Sequence, residues 1–358
     1  MKKIFFTPGP SELYFTVENH LKRALAEQVP SISHRSSQFQ SIFQEAEENL
    51  RALLSLPDDY HVFFTGSANE IWERIVENLV AQRSYHYVNG AFSERFYRIA
   101  QELGRSPVAQ TAEEGHCAVI KPEKIAADTE LIAFTQNETS TGAAQPLEDI
   151  YQIRKSHPDK LIAVDVVSAL PYISLDYAQI DTAYFSVQKG FGLPAGLGVW
   201  LVNERCLAKA ENLAKHQSIG SYHSLPSLLS KAKKKQTPET PNVLGLYLLA
   251  KITGDMLTKG IDIIRNETKF KAGMMYQMLS EHPNFTPFVK ETSQQSKTVI
   301  VAETQRSSSE IIQELQKFNL ILGGGYGHFK DKQIRIANFP THSREQIMLL
   351  IDKMNAIL

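Results

Sequence analysis

Short runs rich in apolar and β-forming residues recur along the chain at 61–65, 86–90, 131–135, 161–165, 181–187 and 199–202. Runs of this kind predict strands buried on both faces. Between them the apolar residues fall at helical spacing, over 17–26, 38–54, 70–81, 146–156 and 203–215. In the helix at 70–81, Ile71, Ile75, Val76 and Leu79 share one face, and Phe92 opens another helix after the strand at 86–90. Strands alternating with helices predict an α/β fold.

The pattern changes after residue 215. Residues 218–241 read as a loop that carries Lys231, Lys233, Lys234 and Lys235, long enough to be a functional or interface segment. From 243 to 280 the spacing predicts a long helix broken near Gly254 and Gly260, and the change of domain is placed there. The remainder reads as an α+β unit. It has strands at 297–302 and 333–337, helices at 308–318 and from Arg344, and a turn at Gly323, Gly324 and Gly325. The expected division is a large domain over 15–255 and a small one made of 1–14 with 256–358. No internal repeat interrupts this order. The triple glycine lacks the lysine and serine of a nucleotide-binding loop.

Composition narrows the function classes. The chain has 358 residues, 38 Lys and Arg against 39 Asp and Glu, and a formal net charge of −1. That balance argues against a nucleic-acid partner. No apolar run approaches a membrane span, and the first residues hold no apolar stretch long enough for a secretory signal. The two cysteines, Cys117 and Cys206, have no metal-ligand spacing and form no disulfide framework. No metal site is expected, and a reduced cytoplasm is the expected compartment.

Two strands end in chemistry. The strand at 161–165 ends in Asp165, and the strand at 181–187 is followed by Gln188 and Lys189 and then by a Gly- and Pro-rich stretch. Desolvation in a crowded crevice would lower the lysine pKa and make its amine a usable nucleophile. A lysine that snorkels out of a strand end is the plainer alternative. A lysine and a carboxylate at neighbouring strand ends are the pair that pyridoxal phosphate chemistry requires. The turn Gly66, Ser67, Ala68, Asn69 stands between a strand and a helix N-terminus, where free N–H groups can cradle a phosphate or simply be capped. His34 and Arg35, just before a helix, are either surface residues or an anion clamp. Phe92 is a core aromatic or a face for a planar ring. The polar loop 136–142 leaves a strand at the edge where α/β folds keep their sites.

Ten stretches in order carry a resemblance. They are Thr7-Pro8-Gly9-Pro10, Ser33-His34-Arg35, Thr65-Gly66-Ser67-Ala68, Val88-Asn89-Gly90, Asn137-Glu138-Thr139, Val164-Asp165, Gln188-Lys189, Pro194-Ala195-Gly196-Leu197, Thr237-Pro238 and Ile334-Arg335-Ile336. Across nearly the whole length the chain resembles the class V aminotransferases of pyridoxal phosphate fold type I. The resemblance implies a large domain on a mostly parallel seven-stranded sheet, a small α+β C-terminal domain, pyridoxal 5′-phosphate as cofactor and a homodimer with shared sites. It implies that Lys189 binds the cofactor covalently and moves the substrate's Cα proton, and that Asp165 holds the proton on the pyridine nitrogen. Phe92 and Val167 would cover the two faces of the ring. Ser67, Ala68, Asn69 and Gln188 would surround the phosphate, with Thr237 reaching the neighbouring subunit's phosphate. Thr139 would lie near the ring hydroxyl. Arg335 would take the substrate α-carboxylate, and His34, Arg35 and His328 the distal anion.

Within the family, Arg335-Ile336-Ala337-Asn338 and His328 resemble the phosphoserine aminotransferases, which make O-phosphoserine and 2-oxoglutarate from 3-phosphohydroxypyruvate and glutamate in serine biosynthesis. The segments at 65–68, 88–90, 137–142 and 164–168 resemble the alanine/serine–glyoxylate group at least as well. Asn69 and Phe329 stand where the phosphoserine enzymes often carry cations. Phosphoserine transamination is the expected reaction and alanine/serine–glyoxylate (or pyruvate) transamination the alternative. A cysteine desulfurase would need a reactive cysteine in the C-terminal third, and neither cysteine lies there. A non-catalytic relative would have lost Lys189 or Asp165, and both are present.

Overall fold

A strand with apolar side chains on both faces must be covered on both faces, and the central strands of this protein are. The computed structural model describes residues 2–357. In chain order, β1 (Ile4–Phe6), α1 (Val17–Ala26) and α2 (Ser37–Leu54) lead into β2 (Tyr60–Thr65), α3 (Ala68–Leu79), β3 (Ser84–Val88), α4 (Ala91–Glu102) and β4 (Val108–Thr111). Next come β5 (Leu131–Thr135), a short hairpin of β6 (Asn137–Glu138) and β7 (Ala143–Ala144), α5 (Leu147–Ser156), β8 (Leu161–Asp165), β9 (Thr182–Ser186), β10 (Gly198–Asn203) and α6 (Glu204–Ala214). The chain continues through α7 (Leu225–Ala232), α8 (Val243–Lys259) and α9 (Ile261–Glu281), and then β11 (Phe285–Pro287), β12 (Val299–Thr304), α10 (Ser308–Gln316), β13 (Leu320–Gly324), β14 (Gln333–Ala337) and α11 (Arg344–Asn355).

Seven strands form one sheet in the order β2-β10-β9-β8-β5-β3-β4. The strand β10 runs antiparallel to both its neighbours, and the rest of the sheet is parallel. The largely parallel α/β sheet expected from the sequence is therefore present. Alternate residues sort to opposite faces. Ile132, Phe134, Ile162, Val164 and Phe185 pack with Phe43 and Leu50 of α2 and Leu246 and Leu249 of α8. Leu131, Ala133, Leu161, Ala163 and Trp200 pack with Ile71 and Ile75 of α3 and Cys206 and Ala210 of α6. Each buried leucine, isoleucine, valine or phenylalanine among them contributes about 1.5–3 kcal/mol by leaving water.

A second sheet has the order β1-β13-β14-β12-β11. Here β1 pairs in parallel with β13, Ile4 opposite Leu320 and Phe6 opposite Leu322. Phe6, Leu320, Ile334 and Ile336 share a core with α9, α10 and α11.

The structure departs from the expected elements in three places. The segment 218–241 is not wholly loop: α7 lies within it, with Ser224 at its N-cap position, a proline in its first turn and Leu225 and Leu228 buried. The long helix breaks at Gly260, where φ is 92°, but runs unbroken through Gly254. Gly323 and Gly324 belong to β13 instead of a turn. Among the described residues no helix is long and apolar enough to cross a membrane.

Candidate active site

The site lies at the C-terminal edge of the parallel strands, where the topology brings several loops to one crevice. Register places Thr135 beside Asp165 across β5 and β8, and Gly198 between Ser186 and Thr65 across β9, β10 and β2. A cavity of about 340 Å³ opens there. Its walls include Lys189, Asp165, Asn69, Phe92, Thr139, Val167, Gln188 and Arg335. Thr7, Pro8 and Gly9, from the first of the ten stretches, also line it, as do Trp72, Ser186 and Tyr326.

Asp165 ends β8 and is 3% exposed. Its two oxygens accept different donors, Oδ2 from Trp72 Nε1 at 3.0 Å and Oδ1 from the Val167 backbone N–H at 2.9 Å. Burial pushes its pKa up, and these bonds and the nearby Lys189 oppose that rise. Lys189 is 8% exposed, and its Nζ donates to Thr139 Oγ1 at 2.9 Å and sits 5.3 Å from the Phe92 ring centroid. Burial lowers the lysine pKa, with Arg335 pushing the same way and Asp165 and Glu138 opposing. An amine with a lowered pKa reaches its neutral, reactive form nearer neutrality.

Thr139 joins the two cations of the cavity. Its hydroxyl receives Lys189, and its carbonyl oxygen receives Arg335 Nη1 at 3.3 Å. Arg335 projects from β14, and its Nε donates to the Gly324 carbonyl at 2.7 Å. A guanidinium has five N–H donors. These two bonds leave the Nη2 pair free of partners among the described residues, the forked geometry that binds a carboxylate.

The wall beneath Phe92 depends on Glu138. This carboxylate is fully buried, and it accepts the backbone N–H groups of Phe92 at 3.3 Å and Ser93 at 3.0 Å, which caps α4. It also accepts the Ser93 hydroxyl at 2.9 Å and the Ser140 hydroxyl at 2.6 Å. An anion at a helix N-terminus is favoured by both the free N–H groups and the dipole. Gly90 is required for its approach, because a Cβ there would fall 2.7 Å from Glu138 Cγ and 2.5 Å from Ser140 Oγ. Thus the Asn89-Gly90 and Asn137-Glu138-Thr139 stretches meet as one capping unit that fixes Phe92.

At the turn before α3, Ser67 caps the helix by accepting from Glu70 N–H at 3.2 Å, and Ala68 N–H donates to Ser186 Oγ at 2.8 Å. Behind the turn, His223 is 3% exposed and bridges two carboxylates, Glu70 through Nδ1 and Glu239 through Nε2 at 2.8 Å. Burial alone would lower the His223 pKa, but the bonds to Glu239 and Glu70 carry it up to about 9. Its folded value lies above the roughly 6.5 of an unfolded histidine. The clamp's contribution is therefore complete below about pH 6.5 and is lost as pH rises through about 9. Thermal melts should show a steeper fall in Tm from pH 7 to pH 10 for the parent than for His223→Gln. Equal slopes would mean that His223 is not the charged partner.

Other residues singled out from the sequence lie elsewhere. Thr237 is buried, and its hydroxyl donates to the Glu239 carbonyl at 2.7 Å. His34 packs edge-on against Phe39, and Arg35 is exposed beside it. His328 pairs with Glu114 at 2.9 Å, both largely exposed. None of these four lines this chain's own cavity. Trp72, Ser186 and Tyr326 line the cavity without having been singled out. Trp72 could have been noticed as an indole on the helix face beside Ile71 and Ile75, and Tyr326 as an aromatic set among glycines.

The residues present fit pyridoxal phosphate. The cavity offers an amine, a buried carboxylate and an aromatic face, and it shields two polar atoms that have no partner, Gln188 Oε1 and Thr135 Oγ1. Buried polar groups are almost always hydrogen-bonded, so such orphans mark places for a polar ligand.

Comparison with known proteins gives the same class. The family model for class V aminotransferases matches residues 7–328. A crystal structure of a phosphoserine aminotransferase from Cytophaga hutchinsonii is 48% identical, with a TM-score of 0.96 over 99% of each chain. A phosphoserine aminotransferase from Rhodococcus opacus is 27% identical over 338 residues, covering 91% of this chain and 87% of the relative. An alanine–glyoxylate aminotransferase from Nostoc, 19% identical, shares the fold with a TM-score of 0.84 over 99% of this chain and 95% of that one. The fold and site define a pyridoxal-phosphate-dependent transaminase. The chain belongs to the class V aminotransferase family.

Proposed function

We propose that this chain acts as a phosphoserine aminotransferase in serine biosynthesis, passing the amino group of glutamate to 3-phosphohydroxypyruvate and releasing O-phosphoserine and 2-oxoglutarate. The observation that carries this reading is the likeness to the Cytophaga hutchinsonii enzyme along nearly the whole of both chains. In this reading Lys189 Nζ takes the proton from the substrate Cα and holds it for its later return. Asp165 keeps a proton on the ring nitrogen, held in place by Trp72 and Val167 N–H. Pyridoxal phosphate, when bound, accepts the electron pair left by the broken Cα–H bond. Arg335 orients the α-carboxylate through its free Nη2 donors. Thr139, bonded to both cations, fixes the distance between carboxylate and proton acceptor. Phe92 and Val167 cover the ring faces, and Asn69, the Ser67–Ala68 turn and Gln188 surround the phosphate.

The distal phosphate needs further cations, because Lys189 and Arg335 are the only lysine and arginine lining the cavity and both have other tasks. We therefore read the working form as a cytoplasmic homodimer in which His34, Arg35, His328 and Thr237 serve the neighbouring subunit's site. Their position outside this chain's cavity supports that arrangement. So does the exposure of Phe15 and Leu25. We also propose the division into a large domain over 15–255 and a small one of 1–14 with 256–358, which the pairing of β1 with β13 supports.

A half-reaction decides the substrate. The cofactor absorbance of the purified enzyme should change rapidly on adding O-phospho-L-serine or L-glutamate and slowly with L-alanine or L-serine. Rapid conversion by alanine or serine, with phosphoserine inert, would overturn the proposal.

A further inference from the structure

Two cavities meet at a single side chain. Beside the cofactor cavity lies a cleft of about 520 Å³ lined by Gly90, Ser140, Thr141 and His328 among others. Tyr326 is the one residue that lines both. Its ring stands against Phe92 with centroids 5.5 Å apart and an angle of 48°, and the Arg335 guanidinium carbon lies 5.4 Å from its centroid. Lys189 Nζ lies near the Phe92 ring. The order across the site is thus amine, Phe92, Tyr326, guanidinium.

The backbone holds Tyr326 in this position. Gly325 N–H donates to the Gln333 carbonyl at 2.7 Å, and the Tyr326 carbonyl accepts from Phe329 N–H at 3.1 Å. A Cβ on Gly325 would fall 2.1 Å from the Phe329 carbonyl oxygen, so only glycine permits this close turn. Tyr326 is 43% exposed. Its hydroxyl has no hydrogen-bond partner among the described residues, so core packing does not account for the position of the ring.

We propose that Tyr326 is a positioning and specificity-determining residue. Its ring holds the plane of Arg335 for the substrate α-carboxylate and closes the cofactor cavity against the cleft, excluding side chains bulkier than those of glutamate and O-phosphoserine. An arginine stacked on an aromatic face keeps its in-plane N–H groups free, which is the geometry that a carboxylate requires. The inference rests on the reading of Arg335 as the carboxylate binder.

Three variants separate the two tasks. Tyr326→Phe keeps the ring, Tyr326→Leu keeps most of the wall without a π face, and Tyr326→Ala removes both. Half-reactions with O-phosphoserine, glutamate, alanine and phenylalanine give KM and kcat for each. Tyr326→Phe, which keeps the ring, should escape most of the KM rise of Tyr326→Leu, and a KM as high as the leucine variant's overturns the role of the ring face. Tyr326→Leu should raise KM about fivefold for every amino acid with kcat little changed, the loss of one cation–π contact. Tyr326→Ala should raise KM likewise and improve phenylalanine relative to glutamate at least tenfold. Parent-like KM in the leucine variant overturns the hold on Arg335, and an unchanged size preference in the alanine variant overturns the wall. Should the alanine variant not fold, Tyr326→Trp, a larger ring in the same wall, must raise KM more for glutamate than for alanine, or the wall is overturned. Arg335→Ala serves as the control: unchanged KM there removes the carboxylate reading itself, whereas raised KM there beside a parent-like Tyr326→Leu removes only the present inference.

Discussion

Lys189→Ala will lower steady-state transamination by about a thousandfold or more while leaving the fold intact. A positioned acid–base group contributes about 10²–10⁴ in rate, and this amine also forms the covalent attachment. Among the described residues no second lysine lines the cavity, so no neighbour can assume its task. The fold should survive, because the substitution removes a desolvated amine from a site where burial already disfavours its charge. The measurements are turnover with phosphoserine and 2-oxoglutarate, the absorbance of the bound cofactor and the melting temperature. Turnover within tenfold of the parent would remove Lys189 from the chemistry. A collapsed Tm would make it a structural residue.

Asp165→Asn should cost at least about a hundredfold in kcat at neutral pH. An opposite charge within a few ångströms raises the pKa of a cation by about 1–3 units, and the asparagine loses that attraction. Geometry adds a second penalty. The carboxylate accepts through both oxygens, from Trp72 Nε1 and from Val167 N–H. An asparagine offers one oxygen, so its NH₂ would face one of those donors and leave it unpaired, a further cost of about 1–3 kcal/mol. Trp72→Phe removes one of the two donors and should relieve part of that conflict in the double variant. A single-variant kcat within threefold of the parent would show that the ring nitrogen does not depend on this carboxylate.

The parts of the molecule that follow a local period were legible in the sequence. The strands β5 and β8 and the helix α1 fall where the apolar pattern places them. So does the edge of the sheet where Asp165 and Lys189 meet, because burial on both faces leaves no polar residue inside these strands to blur their ends. Elements whose reason lies far along the chain were not legible. The strand β1 is three residues long and acquires its partner only at 320–322. Gly323 looks like a turn residue, yet it lies in β13 because Pro8 packs against it: a Cβ there would come within 2.9 Å of Pro8 Cδ. The helix α7 starts after Ser224 in a segment whose lysines and prolines mask its two buried leucines. The capping role of Glu138 and the shared wall of Tyr326 both arise from contacts across the fold, which no local pattern encodes.

The pairing of β1 with β13 has a bearing on biosynthesis. Thr7, Pro8 and Gly9 line the cofactor cavity directly after a strand whose partner, β13, lies more than three hundred residues downstream. During translation the central sheet can close long before that partner leaves the ribosome, since chains emerge at about 5–20 residues per second. Residues 4–6 must therefore wait unpaired until residues 320–322 are available. An enzyme nascent chain arrested before β13 would have a formed Lys189 crevice lacking one wall. The capacity to retain cofactor should then arrive abruptly, at the point in synthesis where β13 captures β1.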